Sequence, residues 1–217
     1  MKFKYLLFDL DGTLTDPYEG ITKSVQYALS ACNINVTERE KLKVFIGPPL
    51  HPTFMSEYGL SHSQAEFAVT KYRERFNEKG WLENRLFDGI DELLHDLKKA
   101  GYILTLATSK PEFFAFRILE HFDIAKYFDL AVGATLDSAR SEKWDIINEI
   151  IRKLNLYNKK NELLMIGDRK YDIIGAKKCD IKSMGVYTGY AEENELENAG
   201  ADFICHSVKD IRHFLLN

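Results

Sequence analysis

The sequence predicts an α/β fold: a parallel sheet covered by helices on both faces and interrupted by an inserted helical domain. Three features point to it. Short, almost continuously apolar runs recur along the chain, amphipathic helical stripes lie between them, and one long stretch has helical patterning without a convincing strand.

The first apolar run is Tyr5–Leu10, closed by Asp-Gly-Thr, which suits a buried strand ending in a loop. Gly101 precedes a second, Tyr102–Ala107, stopped by Thr-Ser-Lys-Pro. A third, Leu130–Val132, ends at Gly133, and a fourth, Leu163–Ile166, ends in Gly167-Asp168. Ser183–Val186 and Asp202–Cys205 complete the set. Between them, Ile90, Leu93, Leu94 and Leu97 make one helical stripe, and Ile146, Ile147, Ile150, Ile151 and Leu154 make another. Weaker helical patterns cover 111–121, 172–179, 191–199 and 208–216.

Residues 16–86 break the alternation. Thr37-x-x-Glu40 and Ser63-x-x-Glu66 read as capping boxes, and Tyr72 and Phe76 stand four apart on the second of those helices. Gly47-Pro48-Pro49 is a rigid break between helices. A block of this size is too long for a strand-to-helix connection. The expected organisation is therefore a core from 1–15 and 87–217 with a helical domain at 16–86.

The chain has 217 residues, enough to bury a core without disulfides or a structural metal. Lys+Arg 29 against Asp+Glu 33 gives a net charge of −4, spread along the chain, which argues against a nucleic-acid polymer as partner. Cys32, Cys179 and Cys205 form no C-x-x-C pair and read as buried small hydrophobes in a reducing compartment. No apolar run approaches a membrane span and no secretory signal pattern is present, so a cytoplasmic location without membrane contact is expected. The six histidines make no metal-binding pair, and neither a Walker A nor a G-x-S-x-G motif occurs.

Four segments carry chemistry. In Asp9-Leu10-Asp11-Gly12-Thr13-Leu14-Thr15-Asp16, side chains two apart on a strand share a side, so Asp9 and Asp11 converge where the first strand runs out. Two carboxylates that close repel each other unless a cation or proton intervenes, and a hard divalent ion such as Mg²⁺ would also favour a phosphate ligand. An Asp-Gly turn after a strand is the plainer reading of the same letters. Gly167-Asp168-Arg169-Lys170-Tyr171-Asp172 adds carboxylates after another strand, where open parallel sheets bind ligands. There Asp168 is the better metal ligand, while Asp172 also suits a helix cap. Thr108-Ser109-Lys110-Pro111 places hydroxyls and N–H groups at an expected helix start, a ready phosphate site as well as an ordinary cap. Lys143 heads an amphipathic helix, where its charge opposes the macrodipole and so invites a functional reason.

Together the Asp9–Asp16 run, Thr108, Lys143 and the Gly167–Asp172 segment resemble the four motifs of the haloacid dehalogenase superfamily, over essentially the whole chain. The resemblance implies a Rossmann-like, doubly wound core and a helical cap at 16–86. It is nearest to phosphoglycolate-phosphatase-type and related small-molecule phosphatases, partly through Ile46-Gly47-Pro48-Pro49-Leu50. Two departures stand out: Trp144 follows Lys143 where many relatives place Pro, and Ser109 stands where many phosphoglycolate phosphatases carry Asn.

The resemblance further implies roles. Asp9 is the nucleophile that forms an aspartyl-phosphate, and Asp11 is the general acid and then the general base. Mg²⁺ is held by Asp9, the backbone carbonyl of Asp11 and Asp168, with Asp172 supporting from behind. Thr108, Ser109, Gly12 and Lys143 hold the phosphoryl group. The implied activity is Mg²⁺-dependent hydrolysis of a small phosphorylated metabolite: phosphoglycolate, a nucleoside monophosphate or a sugar phosphate. A monomer or homodimer is expected. Tyr18, Glu19, Gly47, His51 and Arg75 are candidate substrate contacts in the cap. A β-phosphoglucomutase-type phosphomutase shares the motifs, and a phospho-acceptor signalling module is a more distant alternative.

Overall fold

The structure, a computed structural model, describes residues 3–135 and 139–217. In chain order the elements are β1 (Tyr5–Phe8), β2 (Thr15–Asp16), α1 (Tyr18–Ala31), α2 (Leu50–Tyr58), α3 (His62–Arg75), β3 (Arg85–Leu86), α4 (Ile90–Lys99), β4 (Ile103–Pro111) and α5 (Glu112–His121). They continue as β5 (Leu130–Ala134), α6 (Lys143–Lys153), β6 (Leu163–Gly167), α7 (Lys170–Lys178), β7 (Lys182–Val186), α8 (Glu195–Ala199), β8 (Phe203–Cys205) and α9 (Val208–Leu216). Two compact units emerge: Met1–Thr15 with Leu86–Asn217, and Asp16–Arg85.

In the first unit all six predicted apolar runs join one sheet, in the order β5-β4-β1-β6-β7-β8. Every neighbouring pair is parallel. β1 is the hub, pairing Tyr5 with Ile103 on one edge and with Leu163 on the other. All four of its residues are buried, as a strand covered on both faces requires. Tyr5 and Leu7 point into a cluster with Val132, Ile146, Ile147, Ile150, Ile151, Met165 and Ala176, so the α6 stripe read from the sequence is the face that closes one side of the sheet. Leu6 and Phe8, on the opposite face by strand alternation, are fully buried too.

The second unit is helical. α1 buries Ile21, Val25, Ala28 and Leu29, and a 3₁₀ segment at Arg39–Phe45 adds Leu42 and Phe45. α3 runs into a π-helical turn at Phe76–Gly80, with the Tyr72 and Phe76 rings stacked at 5.3 Å as their spacing predicted. Gly47-Pro48-Pro49 does separate two helices, Pro49 standing extended just before α2.

Local details differ from the sequence reading. β1 stops at Phe8, although the Asp9 N–H still donates to the Ile166 carbonyl at 2.9 Å. The box at Thr37-x-x-Glu40 does not form, because the chain there enters a 3₁₀ helix and Glu40 accepts from the Tyr18 hydroxyl instead. The box at Ser63-x-x-Glu66 is displaced by two residues: Ser61 and Gln64 cap α3 reciprocally. The expected helix 191–199 shrinks to α8, since Asn194 takes a left-handed conformation just before it. Cys179 and Cys205 are buried, with burial pushing each thiol up to about 11, whereas Cys32 is only half-buried. None of the three is in a disulfide. Among the described residues, no helix is long and apolar enough to cross a membrane.

Candidate active site

The C-terminal ends of β1, β4 and β6, the three central neighbours of the sheet, deliver one polar cluster from the sequence motifs. Asp9 and Asp11 follow β1, Thr108 to Lys110 lie in the last part of β4, and Asp168 follows β6. Lys143 is the first residue of α6, and Asp172 is in the first turn of α7. All of these except Ser109, which is half-buried, are buried.

Lys143 is the electrostatic centre. Its Nζ stands 2.9 Å from Asp9 Oδ1 and 2.7 Å from Asp172 Oδ1, and donates to the Ala107 carbonyl at 2.9 Å. Burial alone would lower this ammonium, but the Asp172 and Asp9 carboxylates outweigh it and hold Lys143 protonated. The macrodipole conflict noted in the sequence is thus resolved by two carboxylates. Gly175 of α7 lets the Lys143 stem pass, because a Cβ there would press on the Lys143 Cβ and Cγ.

Asp168 is fully buried and tied on both oxygens: Thr13 Oγ1 donates to Oδ1 at 3.2 Å and the Tyr190 N–H to Oδ2 at 2.8 Å. Burial, then the Asp172 and Asp9 charges, push its carboxyl well above the usual range. Asp172 is raised by burial as well, against the pull of Lys143. It stands at the third position of α7, where it accepts from the N–H of the capping residue Arg169 at 3.1 Å while it pairs with Lys143. Asp11 is raised by burial despite Lys110, whose Nζ lies 2.5 Å from Asp11 Oδ2.

Oxygens of Asp9, Asp168 and Asp172 lie within 4.8 Å of one another. Three carboxylates against one ammonium leave two negative charges in a buried site, and Asp9 Oδ1 and Asp172 Oδ1 meet Lys143 at ion-pair distance without hydrogen-bond alignment. This donor set, all oxygen and short of positive charge, fits a hard divalent cation.

One expectation is corrected. Thr108 and Ser109 do not open a helix, because β4 continues to Pro111, which pairs with Ala134 after a register shift beyond Ala107. The phosphate-binding candidates therefore sit on a bulged strand end, with Thr108 Oγ1 accepting from the Lys110 N–H at 3.2 Å. The cap candidates divide among internal contacts of their own unit. Arg75 makes a two-pronged pair with Glu83 at 2.8 and 3.0 Å, Glu19 pairs with Arg39 at 3.0 Å, and the His51 ring stands against His62.

Residues 6–186 match the haloacid dehalogenase-like hydrolase family. The chain belongs to that family. A 5′-nucleotidase of Pseudomonas aeruginosa is 42% identical over 99% of this chain and 96% of its own. A tyrosine-protein kinase, PtkA, of Mycobacterium tuberculosis is 38% identical over 94% of this chain but 68% of its own. The crystal structure of a predicted phosphatase from Clostridium acetobutylicum superposes with a TM-score of 0.96, at 46% identity, covering 100% of this chain and 99% of that one. The chain is accordingly a hydrolase of the family's phosphatase type.

Reading the sequence alone left out three supports of the hydrolase site. Lys110 and Arg169 stood inside motif segments without a role of their own, and Glu195 was not singled out. In the structure Glu195 accepts from Arg169 Nε at 2.9 Å and from the Lys170 N–H at 2.8 Å, which clamps the turn carrying Asp168. Burial would raise the Glu195 carboxyl, but Arg169 and the Lys170 N–H overcome it and hold it below its ordinary range. A lowered carboxyl stabilises the fold above its ordinary pKa and loses that contribution as pH falls through the folded value. Urea unfolding between pH 6 and pH 3 should therefore show a shallower loss of stability in Glu195→Gln than in the unmodified hydrolase. An equal slope would remove Glu195 from this role.

Gly12 has φ +82°, and a Cβ there would run into the Asp168 carboxylate. Gly12→Ala should cost about 1–3 kcal/mol from backbone strain alone and displace Asp168. Urea denaturation with and without Mg²⁺ checks both effects, the second as a reduced stabilisation by the ion.

Proposed function

We propose that this hydrolase is a Mg²⁺-dependent phosphatase of small phosphomonoesters, working through an aspartyl-phosphate on Asp9, with nucleoside 5′-monophosphates as the first class to test. The observation that carries the reading is Lys143 held between Asp9 and Asp172, beside Asp168, with Asp11 two residues beyond Asp9. That arrangement combines a nucleophilic carboxylate, an oxygen-donor cation site and a second carboxyl for proton transfer. The nucleotidase relative supports the substrate class, because its similarity spans nearly the whole of both chains, whereas about a third of the kinase relative lies outside its match.

In this reading a carboxylate oxygen of Asp9 attacks phosphorus and the ester P–O bond breaks. The leaving oxygen takes a proton from Asp11. Asp11 then takes a proton from the water that attacks phosphorus, breaking the bond to Asp9 and releasing inorganic phosphate. Asp9, Asp168 and the Asp11 backbone carbonyl would hold Mg²⁺, which when bound offsets the charge repulsion between carboxylate and phosphate. Lys143, Thr108, Ser109 and the Gly12 turn bind the phosphoryl oxygens, and the helical insert 16–86 serves as the cap that selects among leaving groups.

The test is phosphate release by purified protein with Mg²⁺ from nucleoside monophosphates, phosphoglycolate, sugar phosphates and pyrophosphate. Release that is fastest from nucleoside monophosphates and stops on chelation is the expected result. No release from any monoester, or interconversion of hexose phosphates without release, would overturn it.

A further inference from the structure

Lys110 is the one buried lysine besides Lys143 among the described residues, and the mechanism above gives it no role. Its Nζ lies 2.5 Å from Asp11 Oδ2, with only 5% of the lysine side chain and 11% of the aspartate side chain exposed. A buried pair of this kind repays its desolvation only with close geometry, so its presence here asks for a reason beyond stability.

The backbone supplies one. β4 pairs regularly with β5 through Ala107 and again at Pro111, and the register shifts in between. A bulge re-aims the side chains it carries and is a common device beside active sites. Here the shifted segment holds Lys110, and its side chain reaches across to the residue after β1 that the mechanism needs for proton transfer. The contact engages Oδ2: Asp11 Oδ1 is buried with no hydrogen-bond partner among the described residues. The two oxygens are thus divided, one anchored and one open.

We propose that Lys110 is a positioning residue that fixes the Asp11 carboxyl by Oδ2 so that Oδ1 carries the proton to and from the reacting oxygen. The inference rests on the phosphatase reading given above. Lys110 acts through Asp11; the phosphoryl charge is met by Lys143, and Lys110 itself makes or breaks no covalent bond. The proton leaving Oδ1 goes to the departing oxygen, and the proton of the attacking water returns to Oδ1. General acid catalysis contributes most when the leaving group is a poor one. A defect at Lys110 should therefore depend on the leaving group, which a defect in phosphate binding or folding would not.

The experiment compares kcat/KM for an alkyl phosphate and for p-nitrophenyl phosphate, whose leaving group departs without a proton, in Lys110→Met, Lys110→Arg, Asp11→Asn and the double variant Lys110→Met/Asp11→Asn. Lys110→Met should lose about 100-fold on the alkyl phosphate and about 3-fold or less on p-nitrophenyl phosphate, within the range general acid catalysis covers. Lys110→Arg should recover part of the loss, and Lys110→Met should cost little further in the Asp11→Asn background. Equal losses on both substrates, or additive losses in the double variant, would overturn the proposal. Inhibition by inorganic phosphate serves as the binding control: an inhibition constant raised in step with the kinetic loss would make Lys110 a phosphate ligand and would equally overturn it. Asp9→Asn separates the underlying reading, since retained turnover in that variant would sink the phosphatase mechanism whatever Lys110 does.

Discussion

Asp9→Asn should abolish Mg²⁺-dependent phosphate release, with kcat down by about 10⁴-fold or more, in a protein that stays folded. The amide keeps the shape but cannot attack phosphorus as a carboxylate does. It also removes one of three negative charges crowded into a buried site against the single ammonium of Lys143. Without the ion the variant should be no less stable than the unmodified hydrolase, because crowding is relieved. Its stabilisation by added Mg²⁺ should shrink, because one carboxylate donor is gone. Phosphate release and thermal unfolding with and without Mg²⁺ read the two effects separately. Full turnover, or an undiminished response to Mg²⁺, would remove Asp9 from both roles.

Lys143→Met should produce the largest loss of stability, about 3–5 kcal/mol at neutral pH, because it leaves buried carboxylates without their counter-charge. Activity should fall with it, since the proposed mechanism has Lys143 offset the phosphoryl charge. The pH dependence is the diagnostic part. With the ammonium gone, the Asp172 carboxyl, already raised by burial, loses the charge that pulls it down and holds its proton more tightly in the folded state than in the unfolded one. A carboxyl raised on folding adds stability as pH falls, so the deficit should narrow between pH 8 and pH 5. Urea denaturation across that range checks it. A constant deficit would mean that Lys143 stabilises by packing against Gly175 and its neighbours, with charge playing no part.

The sheet was legible in the sequence because a strand buried on both faces must be apolar throughout, and six such runs stand between amphipathic stripes. The site was legible where chemistry forces a type and a spacing, as with Asp9 and Asp11 two apart, or Asp168 directly after an apolar strand. What stayed hidden were tertiary choices. Nothing local tells Thr37 from Ser61 as a helix cap; the 3₁₀ turn and the reciprocal Ser61–Gln64 bonds decide that. The continuation of β4 through Lys110 depends on the pairing of Pro111 with Ala134 past a bulge, and Thr-Ser-Lys-Pro reads locally as the end of a strand and the start of a helix. Glu195 acts on the Asp168 turn from 25 residues past Lys170, a distance only the fold closes.

The placement of β1 has a further consequence, for how the hydrolase comes into being. Its two neighbours pair through Ile103–Leu106 and Leu163–Ile166, so the strand that carries Asp9 and Asp11 lies first in the chain and at the middle of the sheet. During synthesis it emerges long before either partner, and the second edge has nothing to bond until β6 has left the ribosome. Closing contacts of such separation delays folding far more than it costs the finished structure. The waiting strand is short and apolar, the kind of segment that pairs wrongly with another chain while it is unclaimed. The same event that ends that exposure, β6 docking beside β1, is also what first brings Asp168 to Asp9. The docking of β6 on β1 and the meeting of Asp9 with Asp168 are therefore a single step.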